Sequence, residues 1–283
     1  MLQSMIIGID IGITTTKAVA LEVDEVPSRE GRIRKIKTRA MDAVTSAGGA
    51  LGKIIAENGI KMADIKRLII TGAGAAKIQG DLFGIPTKRV DEFQAIGIGG
   101  MFLAGKENIV IANIGTGTAM IEARKDSIVH LGGSGVGGGT ILGLAKRLLS
   151  TSDFNGIMDM AAQGNLNQVD LLLEDITETD MSFLKRETTA SNFGKMLDSA
   201  KNEDIALGIL NMVYQVIGML AVFAAKSRNT GSVVITGNGS HNPIGKQVLA
   251  VISEMTAVCF EYPADAEYTT AIGAALSRVF PEH

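Results

Sequence analysis

Cysteine and aromatic residues are scarce in this chain of 283 residues, which contains one cysteine and no tryptophan. Because Cys259 is alone, an internal disulfide is excluded, and so is a metal or iron–sulfur site built from several cysteines of one subunit. This cysteine usage is typical of a reducing compartment, so we expect a cytoplasmic protein.

An excess of positive charge is also missing. The 27 Lys and Arg residues stand against 30 Asp and Glu residues, for a formal net charge of -3. This balance does not indicate a nucleic-acid-binding protein, which would carry an excess of positive charge. An anionic ligand therefore has to be bound locally, by backbone N–H groups and single basic residues. The opening "MLQSMIIGIDIG" lacks a charged region before its apolar run, and no secretory signal is expected.

Only one uncharged stretch is long enough to cross a bilayer, "IALGILNMVYQVIGMLAVFAA" at residues 205–225. It contains Asn211, Gln215 and several small residues, and neither a second hydrophobic span nor a flanking basic cluster accompanies it. The stretch therefore predicts a helix that is buried in the protein or in a subunit interface, with no membrane partner.

Strands alternate with helices along the chain, which indicates an α/β fold. Strands are predicted at the start, at 19–23, 31–40 and 67–72, and in "RVDE" and "SVVITG", with the turn "VPSREG" at 26–31. Helices are predicted over 42–58, 74–82, 93–104, 137–150, 153–164, 203–228 and in "TTAIGAALSRVF", while 165–187 is expected to be irregular. The pattern of strand, Gly/Thr turn and strand restarts at residue 108, which suggests a duplicated domain, divided into residues 1–106 and 107–283, with a cleft between the halves.

Three glycine-rich turns follow predicted strands: "DIGITTTK" at 10–17, "NIGTGTA" at 113–119 and "TGNGSHNP" at 236–243. Taken alone, the first could be an ordinary hairpin, and it lacks the spacing of a Walker loop. Glycines let the backbone approach phosphate oxygens, and consecutive N–H groups form a nest for anions. A fourth run, "GGSGVGGGTILGL" at 132–144, leads into a helix whose N-terminus favours an anion. Together the four runs indicate a phosphate-binding cleft.

These runs resemble those of the superfamily of acetate kinase, sugar kinases, Hsp70 and actin, and within it the type II pantothenate kinases. The matching segments, in chain order, are "GIDIGITTTK", "DEFQAIGIGG", "IANIGTGTAM", "GGSGVGGGTILGL" and "TTASNFGKML" at 188–197. The resemblance implies duplicated actin-like (ribonuclease H-like) domains around a nucleotide cleft and a homodimer. It also implies transfer of the γ-phosphoryl group of ATP, with Mg²⁺, to the primary hydroxyl of pantothenate, the first step towards coenzyme A.

The resemblance also implies roles for individual residues, since phosphoryl transfer requires positioning and charge stabilisation. Asp10 would hold Mg²⁺, and the β- and γ-phosphates would lie against Gly12, Thr14, Thr15 and Lys17. The second phosphate turn would be Gly115, Thr116, Gly117 and Thr118, with Gly137, Gly138 and Gly139 also contacting the cofactor. Gly237, Ser240 and Asn242 would border the nucleoside, and Glu92, His130, Gly132, Gly133 and Ser134 would contact the substrate.

The proton of the attacking hydroxyl needs an acceptor, and the sequence offers Asp91 and Glu92 side by side. Spacing alone does not choose between them, and an acidic pair at a helix start is also a common N-cap. The resemblance assigns the general base to Glu92, because the glutamate of the family is followed by an aromatic residue.

Two positions depart from the family pattern. His130 stands where the family has an arginine that pairs with the substrate carboxylate, and histidine lacks the bidentate fork of arginine. Ile13 replaces a glycine of the first turn. The rival functions are a kinase of another small hydroxyl substrate, such as pantetheine or a sugar, a sensor without turnover, and an ATPase that activates a dehydratase. The single cysteine opposes the last, because such activators bridge a cluster with two cysteines from each subunit.

Overall fold

The structure, a computed structural model, describes residues 4–22, 33–178 and 185–277. Its first half contains strands β1 (Met5–Ile11), β2 (Thr15–Glu22), β3 (Arg34–Arg39), β4 (Ile65–Thr71) and β5 (Thr87–Arg89), with helices α1 (Ala43–Asn58) and α2 (Glu92–Ala104). The predicted turn at 26–31 lies outside the described residues.

The second half begins with strands β6 (Asn108–Ile114), β7 (Thr118–Arg124) and β8 (Ser127–Ser134). Helices α3 (Gly138–Leu148) and α4 (Phe154–Ala161) follow, then the short strands β9 (Leu171–Leu172) and β10 (Thr189–Ser191) and the long helix α5 (Asn202–Ser227). The chain continues with β11 (Ser232–Thr236), α6 (Pro243–Thr256), β12 (Cys259–Glu261) and α7 (Thr269–Leu276).

The two large sheets have the same strand order, β3-β2-β1-β4-β5 in the first half and β8-β7-β6-β11-β12 in the second. In each, the first three strands are antiparallel neighbours and the last two are parallel to the first. The expected α/β fold with a duplicated domain is confirmed.

Local signals explain most of the predicted boundaries. The Asp42 side chain accepts hydrogen bonds from the backbone N–H groups of Val44 and Thr45, and it caps the start of α1. Gly59 ends the same helix with φ 63°, in the left-handed region that glycine adopts without strain. Asn242 caps α6, with Pro243 at its first position.

Several predicted elements differ in the structure. Strand β2 begins at Thr15 rather than at residue 19, because Thr15 to Lys17 pair with β3 and leave only residues 12–14 in the turn. The helix predicted over 74–82 is a single 3-10 turn at Ala75–Lys77. The region 165–187, expected to be irregular, contains β9 and two 3-10 turns, and its residues 179–184 lie outside the described chain.

Helix α7 does not follow the predicted division at residue 106. It belongs to the second half in sequence, but it packs on β1 and β4 of the first sheet and against α2. Contact is close enough that a Cβ on Gly8 would lie 2.2 Å from the Ala271 carbonyl oxygen, and one on Gly273 would lie 1.7 Å from the Ala95 carbonyl oxygen. The two halves are therefore joined by an exchanged helix as well as by the connection after α2.

Helix α5 is the core helix of the second half. Within the described residues it is the one helix long and apolar enough to cross a membrane, and 61% of its most apolar stretch is buried in the protein. Its buried face contacts β6, β11 and α6, as predicted for a helix packed in protein.

The "TTASNFGKML" segment is anchored to α5 by Asp170, whose side chain is fully buried. Its carboxylate accepts hydrogen bonds from four donors: the Thr189 hydroxyl, the Asn192 and Asn211 amides and the Phe193 N–H. A buried carboxylate is stable only when hydrogen bonds replace its hydration, so this residue fixes the segment in place.

Candidate active site

A cleft of about 630 Å³ lies between the two sheets, at the ends of β1 and β6. Residues from both halves line it: Asp10, Gly12, Ile13, Thr14, Thr15, Lys17, Ala73, Glu92, Phe93, Asn113, Gly115, Thr116, Gly117, Thr118, Ala119, His130, Gly133, Ser134, Gly135, Gly237, Asn238 and Thr270. All of the predicted glycine-rich turns therefore reach this cleft.

Asp10 and Lys17 face each other across the β1–β2 hairpin, as partners in its register. Burial raises the pKa of Asp10 to about 6, and the charge of Lys17 partly opposes this rise. Burial also lowers the pKa of Lys17, whose ammonium donates a 2.6 Å hydrogen bond to the backbone carbonyl of Glu267. The first turn is thus both a hairpin and one wall of the cleft.

In the second half, the turn at 115–118 packs on the glycine run that opens α3. The N–H groups of Gly138 and Gly139 donate to the carbonyl oxygens of Gly115 and Thr116, each at 2.9 Å. The Gly137 N–H donates to the Thr140 hydroxyl at 3.1 Å. These three donors are already satisfied inside the protein, and residues 137–139 are not among the lining residues of the cleft, so they support the turn at 115–118. Their contact with the cofactor stays a prediction.

The acidic pair at the start of α2 divides into two environments. The Asp91 carboxylate caps the helix by accepting from the N–H groups of Phe93 and Gln94, at 2.9 and 3.1 Å. Glu92 is half-buried and lines the cleft. Burial, followed by the charges of Asp10 and Asp91, raises the pKa of Glu92 to about 7. The cap and the cleft-facing carboxylate are therefore different residues.

His130 forms part of the cleft wall together with Phe93. Their rings stack with centroids 4.0 Å apart and planes 5° from parallel. A bulge in β8 skips Leu131, so that Ile121 pairs with His130 and Met120 with Gly132. Gly132, with φ 139°, is needed for this bulge and is not among the lining residues, whereas Gly133 and Ser134 are.

The third turn contributes different residues from those expected. Gly237 and Asn238 line the cleft, and the Asn238 amide donates to the Thr15 hydroxyl at 3.3 Å across it. Ser240 and Asn242 are buried behind the turn. The Ser240 hydroxyl donates to the Gly237 carbonyl, and the Asn242 side chain accepts from the Gly245 N–H, both at 2.8 Å. The structure gives Ser240 and Asn242 roles inside the turn and at the start of α6, and their expected contact with the nucleoside stays a prediction.

Asn113 is a lining residue that sequence reasoning missed. It is the sixth residue of β6, as Asp10 is of β1, so the duplication places the two side chains at equivalent ends of the two sheets. Its side-chain oxygen accepts a 2.9 Å hydrogen bond from the Thr236 hydroxyl. An alignment of the two halves would have found this position. Ala73, Phe93, Ala119, Gly135, Asn238 and Thr270 were also missed as lining residues.

Comparison with known proteins gives matches over nearly the whole chain. The Fumble family model matches residues 107–274. The type II pantothenate kinase of Bacillus anthracis is 31% identical over 283 residues, covering 95% of this chain and 96% of the relative.

Two solved structures share the fold. The activator of the 2-hydroxyisocaproyl-CoA dehydratase from Clostridium difficile, with bound ADPNP, has a TM-score of 0.62 and 19% identity, covering 99% of this chain and 98% of that chain. A ROK family glucokinase from Streptomyces griseus, in complex with glucose and AMPPNP, has a TM-score of 0.59 and 14% identity, covering 98% of this chain and all of the other. At these identities the likeness shows the duplicated actin-like fold alone. The family is shown by the sequence matches: the chain belongs to the type II pantothenate kinases.

Proposed function

We propose that this protein transfers the γ-phosphoryl group of ATP to the primary hydroxyl of pantothenate, as a cytoplasmic enzyme. The observation that carries the proposal is the separation of the acidic pair at α2. Asp91 caps the helix, while Glu92, with its pKa raised to about 7, lies in the cleft opposite the phosphate turns. A carboxylate with a pKa close to the working pH is suited to accept the hydroxyl proton.

The nucleotide would occupy the inner part of the cleft. The backbone of Gly115 to Thr118 would approach the phosphates, and Thr14, Thr15 and Lys17 would meet them from the first half. Lys17 is the only Lys or Arg among the lining residues. Besides a bound metal ion, charge stabilisation of the transferred group would therefore depend on Lys17 and on backbone N–H groups.

The residues at Asp10 fit a Mg²⁺ ion. Gly72 lies so close that a Cβ there would be 2.6 Å from one Asp10 carboxylate oxygen, so the glycine leaves space around that oxygen. The described residues contain no group of three or more His, Cys, Asp or Glu side chains that could hold a metal by themselves. Mg²⁺ is commonly held by one or two carboxylates together with substrate phosphates. Asp10 would hold the ion, which would neutralise phosphate charge when bound.

The acceptor would bind beside Glu92, against the stacked rings of Phe93 and His130. His130 is the residue available in this wall for the carboxylate of pantothenate, in place of the arginine that the resemblance leads one to expect. It can pair with a carboxylate only in its protonated form. This difference is the specific reason to keep a second candidate, a kinase of the same fold that acts on a neutral hydroxyl substrate such as pantetheine.

Release of ADP, measured in a coupled assay with pantothenate, pantetheine, pantoate and N-acetyl hexosamines, tests the function. We expect pantothenate to give the highest kcat/KM. A preference for pantetheine would support the second candidate, and turnover of hexosamines alone would refute both.

We also propose that the protein is a homodimer, with part of the interface on α5. Val216 and Phe223, seven residues apart, lie on one face of this helix and are 36% and 61% exposed. Half-buried Met212, Met219 and Leu220 extend the same face. Two-fold pairing would cover this apolar surface.

Light scattering at micromolar concentration should give the mass of a dimer. Phe223→Asp should shift it towards the monomer, while Val251→Asp on α6, at a residue that is 44% exposed, should not. A wild-type monomer would refute the dimer.

A further inference from the structure

A row of three lysines lies on the face of the first sheet that α7 covers. Lys17 of β2 is the register partner of Lys37 of β3, and Lys35 lies two residues before Lys37. Cross-strand partners, and residues two apart in a strand, point to the same side of a sheet. The three side chains therefore lie on one face of the sheet.

All three lysines bind the chain segment 265–267, which precedes α7. Lys35 pairs with the Asp265 carboxylate, and Lys37 pairs with the Glu267 carboxylate at 2.7 Å. Lys17 instead donates to the backbone carbonyl of Glu267 at 2.6 Å. Two of the three positive charges thus have a carboxylate in this segment, while Lys17 is held there by a neutral carbonyl.

This segment is also tied to the second half of the protein. The carbonyl oxygen of Ala266 accepts from the N–H of Gly237, in the third glycine turn, at 2.9 Å, and from the Thr269 hydroxyl at 2.7 Å. The position of the Glu267 carbonyl therefore depends on contacts from both halves.

We propose that Glu267 and Lys37 are positioning residues for Lys17. Their ion pair holds the Glu267 carbonyl where it anchors the Lys17 ammonium. This proposal goes beyond the acceptor site and rests on the proposed function only in taking the nucleotide phosphates as the ligand of Lys17.

Binding of the ATP analogue AMPPNP with Mg²⁺, measured by calorimetry without any acceptor, tests the proposal. Because no acceptor is present, a wrong assignment of pantothenate does not affect the result. Lys37→Met and Glu267→Gln should each raise the Kd of AMPPNP roughly three- to fivefold, the range that a partly exposed ion pair allows. The Kd of adenosine, which has no phosphates, should not change, whereas damage to the fold would weaken both ligands.

A matched control is the ion pair between Lys106 and Glu261. The side chain of Lys106 is 45% exposed, as is that of Lys37. Lys106→Met should leave the Kd of AMPPNP unchanged. In a Lys17→Met background, Lys37→Met should have no further effect, because the pair acts through Lys17.

Two results would overturn the proposal. One is a Kd for AMPPNP in Lys37→Met and Glu267→Gln that matches the Lys106→Met control. The other is an undiminished effect of Lys37→Met when Lys17 is already methionine, which would mean that Lys37 meets the nucleotide directly.

Discussion

Replacing Glu92 by glutamine should abolish turnover and leave nucleotide binding intact. The amide has the shape of the carboxylate but cannot accept the hydroxyl proton, and removal of a general base lowers kcat by roughly 10²-fold or more. In the wild type, the pKa of about 7 means that Glu92 is mostly protonated at pH 6 and mostly ionised at pH 8. Because only the ionised form accepts a proton, kcat should rise about tenfold between pH 6 and pH 8.

Asp91 provides a test of why the Glu92 pKa is high. Asn is as good an N-cap as Asp, so Asp91→Asn should preserve the start of α2. It removes a negative charge that raises the Glu92 pKa, so the acid limb of the kcat profile should move to lower pH. The assay is ADP release at saturating ATP and acceptor from pH 5.5 to 9. Full activity in Glu92→Gln, together with loss of activity in Asp91→Asn, would contradict the assignment of the base.

Three further variants test other parts of the structure. Gly273→Ala places a Cβ 1.7 Å from the Ala95 carbonyl oxygen, so chemical denaturation should show a free energy of unfolding lower by about 1–3 kcal/mol. Gly52→Ala, which adds its Cβ in open space on α1, should not destabilise the protein. His130→Arg should lower the KM for pantothenate about tenfold, since a charge-assisted hydrogen bond contributes about 1.5–3 kcal/mol; an unchanged KM would mean that this residue does not meet the carboxylate. Asp170→Asn replaces one accepting carboxylate oxygen by an NH₂ group, which would face hydrogen-bond donors such as the Phe193 N–H or the Asn211 amide. The melting temperature measured by calorimetry should therefore fall, by an amount equivalent to about 2 kcal/mol or more.

Much of the fold could be predicted because its elements carry local signals. Strand β1 is a continuous apolar run, and α1 has a capping Asp42 and a terminal Gly59. The restart of the pattern at residue 108 predicted the duplication, which the matching strand orders confirm. The strand position of Lys17 was missed, because threonines beside a glycine suit a turn and a strand equally well.

The candidate site was harder to predict where a role depends on contacts between distant residues. The sequence shows that Gly138 and Gly139 have N–H groups at a helix start, but not that the carbonyls of residues 115 and 116 already accept them. Ser240 likewise looks available to a nucleoside in the sequence, but in the structure its hydroxyl donates to the Gly237 carbonyl. Spacing alone left the choice between Asp91 and Glu92 open, and the structure adds that Asp91 is the helix cap.

The exchanged position of α7 has a consequence for the order in which the protein folds during synthesis. The apolar face of the first sheet that carries Val19 and Ile69 is covered by α7, which follows every other described element in the chain. A ribosome that has made the whole first half has therefore produced a sheet with one face still open, and it remains so until residues 269–276 emerge. Gly8 and Gly99 let the backbone of α7 pack directly against this part of the protein. Nascent chains that stall before α7 should therefore expose an apolar surface and depend on chaperones. For the same reason, the two halves should not be separable into independently stable fragments.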